Sequence, residues 1–243
     1  MTDWYLLLVP LALIAALYAS VGHGGASGYL ALMALCGVAP AVMKPTALVL
    51  NLVVSLLGTV LFFRAGHFAW RLFWPFAAVS IPFAYLGGRI NVSAGVFKWL
   101  LALALAFAAA RLLWPASKTP QEIRRPPVVA VILAGASIGL VSGLIGVGGG
   151  IFLTPLLLVC DWADLKTAAA VSAPFIFVNS ASGLAGQISS FHNLPSQWPL
   201  LALAVLVGGF VGGRWGSRVA SVSKMRPALA IVLAIAAVKL VVT

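Results

Sequence analysis

Two glycine-rich stretches are places where main chain, rather than side chain, would meet a ligand. One is His23-Gly24-Gly25-Ala26-Ser27-Gly28 and the other is Gly146-Val147-Gly148-Gly149-Gly150. Glycine lets the chain turn sharply and lets a ligand approach the backbone. Where such a stretch interrupts a helix, unpaired N–H groups and the positive helix end can receive an anion. The competing reading is close helix packing, which also uses small residues.

Polar side chains follow each break. The first set is Thr46, Asn51, Ser55 and Thr59; the second is Ser172, Asn179, Ser180, Ser182 and Gln187. In apolar surroundings Asn51 and Asn179 are costly unless partnered, and they can donate to substrate oxygens or bond between helices. Thr46 and Ser172 stand near the start of the same segments. Pro174 frees backbone groups near Asn179. Apart from the cysteines, His23 is the one titratable group expected in the membrane interior. It is the first candidate for proton coupling, with a hydrogen-bonded structural histidine as the plainer reading. His67 and His192 are scattered, with no acid–base or metal cluster beside them, so neither an enzyme, a metal site nor a cofactor is expected. Cys36 and Cys160 match no zinc or redox spacing. They read as small buried hydrophobes rather than a disulfide.

The elements that position these residues follow from composition. The chain has 243 residues, 63% hydrophobic and 8% charged. Soluble domains carry about 25% charged residues, too many for this chain to imitate. Its surface must face lipid, and its apolar runs fit helices of about 20 residues that cross a bilayer. Trp4 to Leu17 lacks a basic n-region and a clean small-residue cleavage site, so it is expected to be a retained helix rather than a signal peptide. The net charge of +11 is spread over the ends of apolar runs, as in membrane anchoring, and gives no reason to expect nucleic acid.

The chain repeats itself. Leu86-Gly87-Gly88-Arg89 returns as Val211-Gly212-Gly213-Arg214. Val21-Gly22-His23-Gly24-Gly25 returns as Ile145-Gly146-Val147-Gly148-Gly149. Cys36, Lys44, Lys98 and Arg111 match Cys160, Lys166, Arg226 and Lys239 in the same order. These matches predict an all-α membrane protein of two repeats, 1–115 and 128–243, joined by a charged cytoplasmic linker, 116–127. Each half holds five apolar segments: about 4–21, 28–39, 46–63, 70–88 and 94–114, then 128–146, 151–160, 166–190, 198–213 and 225–242. The second segment of each half is too short to span, so the breaks are read as broken-helix hairpins beside three spanning helices, giving about eight to ten helical segments in all. Lys44 and Lys166, just before the third segments, would snorkel to headgroups or draw anions into a vestibule.

The positive-inside rule orients the halves. With an odd number of crossings per half, Arg64, Arg71, Arg111, Lys118, Arg124, Arg125, Lys166, Arg214, Arg218, Lys224 and Arg226 share one side. Only Lys44, Arg89, Lys98 and Lys239 face the other. Four crossings per half leave no bias. The first arrangement makes the repeats inverted, with both termini periplasmic. Inverted repeats with interrupted helices are a transporter pattern.

These residues resemble the sulfite exporter TauE/SafE family (TSUP). The resemblance covers nearly the whole chain. It rests on Gly22-His23-Gly24-Gly25 with its copy Gly146-Val147-Gly148-Gly149-Gly150, on Arg64-Ala65-Gly66-His67-Phe68, and on the repeated Leu-Gly-Gly-Arg motif. The family's third helix often starts on an Ala-Thr-Ser-like run. Here it reads Lys44-Pro45-Thr46-Ala47 and Ala170-Val171-Ser172-Ala173, so only Thr46 and Ser172 carry over. The resemblance implies transport of sulfite, sulfonates or small organic acids across the bacterial inner membrane. The residues themselves point to a small anion, carried by alternating access or through a passive channel. The partners expected are that anion, membrane lipid, a coupled proton and a second copy of the chain. The substrate-binding set is His23, Gly24, Gly25, Ser27, Thr46, Asn51, Gly148, Gly149, Gly150, Ser172 and Asn179.

Overall fold

The computed structural model describes residues 3–20, 22–113, 123–218 and 225–242. Val21, Lys118, Glu122 and Lys224 lie outside the described residues. Ten α-helices are described: α1 (Leu8–Ala19), α2 (Ala26–Leu35), α3 (Pro40–Arg64), α4 (Trp70–Arg89), α5 (Ala94–Leu113), α6 (Val128–Ile145), α7 (Gly150–Val159), α8 (Leu165–Gly186), α9 (Trp198–Arg218) and α10 (Met225–Val242). Short 3-10 turns, Trp4–Leu7 and Ile188–Asn193, precede α1 and follow α8. The described residues contain no strand. Among the described residues, five helices, namely α3, α5, α6, α8 and α9, are long and apolar enough to cross a membrane. Large apolar side chains such as Leu103, Leu133, Val207 and Ile235 remain exposed, as a lipid-facing surface requires.

Local chemistry sets the helix ends. Pro40 opens α3 at a position where its missing N–H is not needed. Asp164 caps α8 by accepting from the Thr167 amide at 2.7 Å. Helix α6 stops at Gly146, whose φ of +80° is a left-handed C-cap. Helices α2 and α7 have ten residues each, about 15 Å of rise, and reach only about half way across the bilayer. The third helix begins six residues earlier than its apolar run, because Pro45 is accommodated inside it. Lys44 therefore lies within α3, and Lys166 within α8.

Helix α4 packs on α6 and α8; α9 packs on α1 and α3; α3 crosses α8, and α5 crosses α10. Small residues let the main chains approach. A Cβ at Gly139 or Gly143 would meet the carbonyl of Ser80 or Ala84 on α4, and one at Gly208 or Gly212 that of Ala12 or Ala16 on α1. The Gly-Gly-Arg copies belong to this packing: Gly87 lies on Leu140, Gly88 on Gly183 and Gly212 on Ala16. Their arginines lie over the ring four residues earlier, Arg89 over Tyr85 at 5.9 Å and Arg214 over Phe210 at 5.8 Å.

The same contacts give direction. Gly139 and Gly143 meet Ser80 and Ala84, so α4 and α6 are parallel. Ser182 bonds the Ile81 carbonyl and Gly186 meets Tyr85, so α8 runs with α4. Gly208 and Gly212 meet Ala12 and Ala16, and Gly209 and Gly213 meet Val54 and Leu61, so α1, α3 and α9 are parallel. Asn51 with Ser180 and Gly58 with Ala173 make α3 and α8 antiparallel.

A methyl group forced against a backbone carbonyl in this packing should cost about 1–3 kcal/mol. Gly143→Ala and Gly212→Ala are therefore expected to lower the melting temperature in detergent, at roughly 2–4 °C per kcal/mol. Gly95→Ala on α5, where a Cβ meets nothing within 4 Å, should leave it unchanged. Equal melting curves for all three variants would refute the packing role.

Candidate functional site

The two breaks are held in shape by their own neighbours. In the first, the His23 amide donates to the Tyr18 carbonyl at 2.9 Å. The Tyr29 hydroxyl donates to the Gly24 carbonyl at 2.8 Å, and the Tyr18 and Ser27 hydroxyls bond each other at 2.6 Å. In the second, the Gly146 amide closes α6 on the Ser142 carbonyl at 2.8 Å. Gly25 and Gly149 are the N-caps of α2 and α7, with φ of +97° and +83°. A side chain would resist that conformation. Neither cap supplies a side-chain acceptor to the first turn. Both helices thus begin with amide donors and the positive end of the helix dipole on offer.

Asn51 joins the breaks. It is fully buried. Its Nδ2 donates to Ser180 Oγ at 2.9 Å and to the Val147 carbonyl at 3.4 Å, and its Oδ1 has no hydrogen-bond partner. A Cβ on Gly24 would run into that Oδ1, and one on Gly148 into the Nδ2. The carboxamide therefore stands between the two glycine stretches. Ile176 faces them from α8, where a Cβ on Gly24, Gly148 or Gly150 would touch its side chain. It lies 125 residues after Asn51, the interval that separates the two Gly-Gly-Arg copies.

A small cavity lies at this meeting point. Tyr18, His23, Gly24, Gly25, Ala26 and Ser27 line it from the first half, and Val147, Ile151 and Ile176 from the second. First turns of both α2 and α7 therefore reach one space. No acidic residue lines it. Its volume of about 10 Å³ is about that of a single water site, so it has room for nothing larger.

His23, Gly24, Gly25, Ser27, Asn51, Gly148 and Gly150 thus gather at or beside the cavity. The other named residues are placed elsewhere. Thr46 donates to the Val42 carbonyl of its own helix at 2.7 Å. Ser172 bonds Thr154 at 2.7 Å. Gly149 faces Ile138, Phe175 and Ser142. Asn179 donates to the Phe175 carbonyl at 2.8 Å, and its Oδ1 is buried without a partner. Tyr18, Tyr29 and Ile176 belong to the site although polarity and glycine content did not mark them. The interval of 125 would have found Ile176 from Asn51.

Lys44 and Lys166, matched in sequence, are not matched in space. Lys44 is buried against Gly146, whereas Lys166 is exposed at the start of α8. Ala169 packs against Gly22 as Lys44 packs against Gly146.

An all-helical chain with apolar spanning helices and a small cavity between broken helices is a multi-pass membrane protein in build. The family model for the sulfite exporter TauE/SafE matches residues 7–240, and the chain belongs to that family. It is 39% identical over 238 residues, 96% of both chains, to a probable membrane transporter protein, y4hK, of Sinorhizobium fredii. A probable membrane transporter protein of Xylella fastidiosa is 27% identical over 162 residues, 64% of this chain and 60% of its own. The probable membrane transporter protein YunE of Bacillus subtilis is 33% identical over 82 residues, 34% of this chain and 29% of its own. No solved structure matches the chain.

Proposed function

We propose that this protein is a secondary transporter that moves a small anion, of the sulfite, sulfonate or related organosulfur class, across the bacterial inner membrane by alternating access. The observation that carries this reading is the convergence of two uncapped helix N-termini, one from each half, on one cavity without an acidic lining. Amide donors and two helix dipoles suit an anion's oxygens. The Ser180 hydroxyl, which accepts from Asn51 Nδ2, adds a side-chain donor, and the bare Asn51 Oδ1 accepts from a water or from the O–H of a protonated oxyanion. The sulfur class comes from the family's description. Another small organic acid would use the same donors.

The repeats in this reading are the halves 1–115 and 128–243, with 116–127 as the cytoplasmic linker. We take the halves as inverted. The opposite directions of α3 and α8, of α1 and α6, and of α4 and α9 support that view, and the basic-residue bias puts both termini in the periplasm. A cavity with room for one water supports a carrier over an open channel, because the site must open to admit the anion. His23 at the cavity edge is the residue through which a proton would couple, and lipid surrounds the bundle, alone or as a homodimer.

The test is flux into proteoliposomes of sulfite and C2 sulfonates, with and without a pH gradient. Saturable, gradient-driven uptake at carrier rates is expected. Unitary currents would establish the channel instead, and no anion movement under any gradient would end the transport reading for these substrates.

A further inference from the structure

Lys44 is a buried cation that the site described above does not use. It is 9% exposed, and its Nζ donates to the Gly88 carbonyl at the end of α4 at 3.3 Å. An ammonium has three donors, and a buried charge is costly unless paired. The acidic residues of the described chain are Asp3, Asp161 and Asp164. Asp3 and Asp164 cap helix starts, and Asp161 sits in the turn after α7. The Lys44 stem and backbone stand against Gly146, where a Cβ would come within 3.2 Å of Lys44 Cγ. Lys44 precedes Asn51 by seven residues, so both lie on one face of α3, about 10 Å apart along the axis. Going out from Asn51 along that face leads past Gly146 to the ammonium. The other half repeats the place without the charge, because Ala169 packs on Gly22.

We propose that Lys44 is the charge-selecting gate on the membrane face where α4 and α6 end. It holds the Gly88 carbonyl while the site is closed and turns to the anion as the anion passes between that face and Asn51. Ala169 supplies no such charge on the opposite route, so the two faces handle the anion unequally. The inference rests on the anion-transport reading. The plain alternative is a structural one, in which Lys44 only caps the carbonyl end of α4.

The experiment uses the full chain with Cys36 and Cys160 replaced by serine, and a C2 sulfonate as the transported probe. Lys44→Cys is expected to lower uptake at least tenfold. Alkylation with 2-bromoethylamine during turnover, followed by mass spectrometry, rebuilds a lysine-like side chain through a stable thioether and should return at least a third of parental uptake. Iodoacetamide should not restore uptake, and iodoacetate should lower it further. Lys44→Met should keep the parental melting temperature and show the same loss as Lys44→Cys. Parental uptake in Lys44→Met would overturn the gate. So would a thiol that stays unmodified during turnover, or equal rescue by the neutral adduct. If Lys44→Met and Lys44→Cys both fail to fold while Lys44→Arg folds, Lys44 is an anchor for α4 and the gate is wrong. A parent that carries no anion fails the transport reading itself, whereas failure of the gate alone leaves the parent active.

Discussion

Asn51→Asp is expected to lower anion uptake about a thousandfold while leaving the protein folded. The substitution keeps the shape of the carboxamide and replaces its donor face with negative charge. Two like charges about 4 Å apart repel by about 4 kcal/mol at an effective dielectric of about 20. At about 1.4 kcal/mol per factor of ten, that is about three orders of magnitude. The Ser180 hydroxyl can turn to donate to the new oxygen, so of the two bonds made by Asn51 Nδ2 only the longer one, to the Val147 carbonyl, is lost outright. The loss should also have a sign in pH. A carboxylate at membrane depth is itself costly, by about 2.5–3.5 kcal/mol on insertion scales. Acidification neutralises it and recreates a polar, uncharged group, so uptake by Asn51→Asp should recover as pH falls, relative to the parent measured at the same pH. Initial rates in proteoliposomes of matched protein content read both effects. A folded variant with more than a tenth of the parental rate at neutral pH would remove Asn51 from the anion's path.

Asn51 and Asn179 also show how far the sequence reaches. Both are amides in the third apolar run of their half, and both are fully buried. Asn51 joins the two breaks, while Asn179 bonds its own helix. The difference is one of phase. Asn179 lies 128 residues after Asn51, and the spatial counterpart Ile176 lies 125 after it. Three residues are about 300° of helix, enough to turn a side chain off the face that meets the partner. In a soluble helix the apolar stripe would reveal the facing side. Here lipid-facing and protein-facing sides are both apolar, so composition identifies the helix but not its rotation. The same loss of phase matched Lys44 with Lys166 rather than with Ala169. Features that do not depend on rotation were legible. Low charge marked a membrane chain, and glycine runs marked the breaks at the positions where α2 and α7 begin. The tyrosines that pin the first break were not legible, because their hydroxyls reach partners nine and five residues away through a turn whose shape only the fold reveals.

Gly148→Ala is expected to lower uptake at least a hundredfold, and Gly66→Ala to leave it unchanged. The pair separates backbone strain from lost space. Gly148 has φ of +79° and Gly66 has φ of +76°, so a Cβ imposes nearly the same left-handed strain at each, about 1–2 kcal/mol. Both variants should therefore lose similar stability through the backbone. Their surroundings differ. At Gly66 a Cβ meets nothing within 4 Å, while at Gly148 it runs into Asn51 Nδ2 and comes within 2.8 Å of Ser180 Oγ. The new methyl occupies the place where the Asn51–Ser180 bond is made. Gly150→Ala makes an intermediate case. Gly150 is the first residue of α7, outside the left-handed region, and its Cβ meets the flexible end of Ile176, so a loss of roughly tenfold is expected. Melting curves and uptake measured on the three variants together decide the matter. If uptake falls in proportion to stability across the series, the breaks act through folding. If Gly148→Ala loses uptake far beyond what its loss of stability accounts for on the line set by Gly66→Ala, the space between the two breaks is where the anion is held.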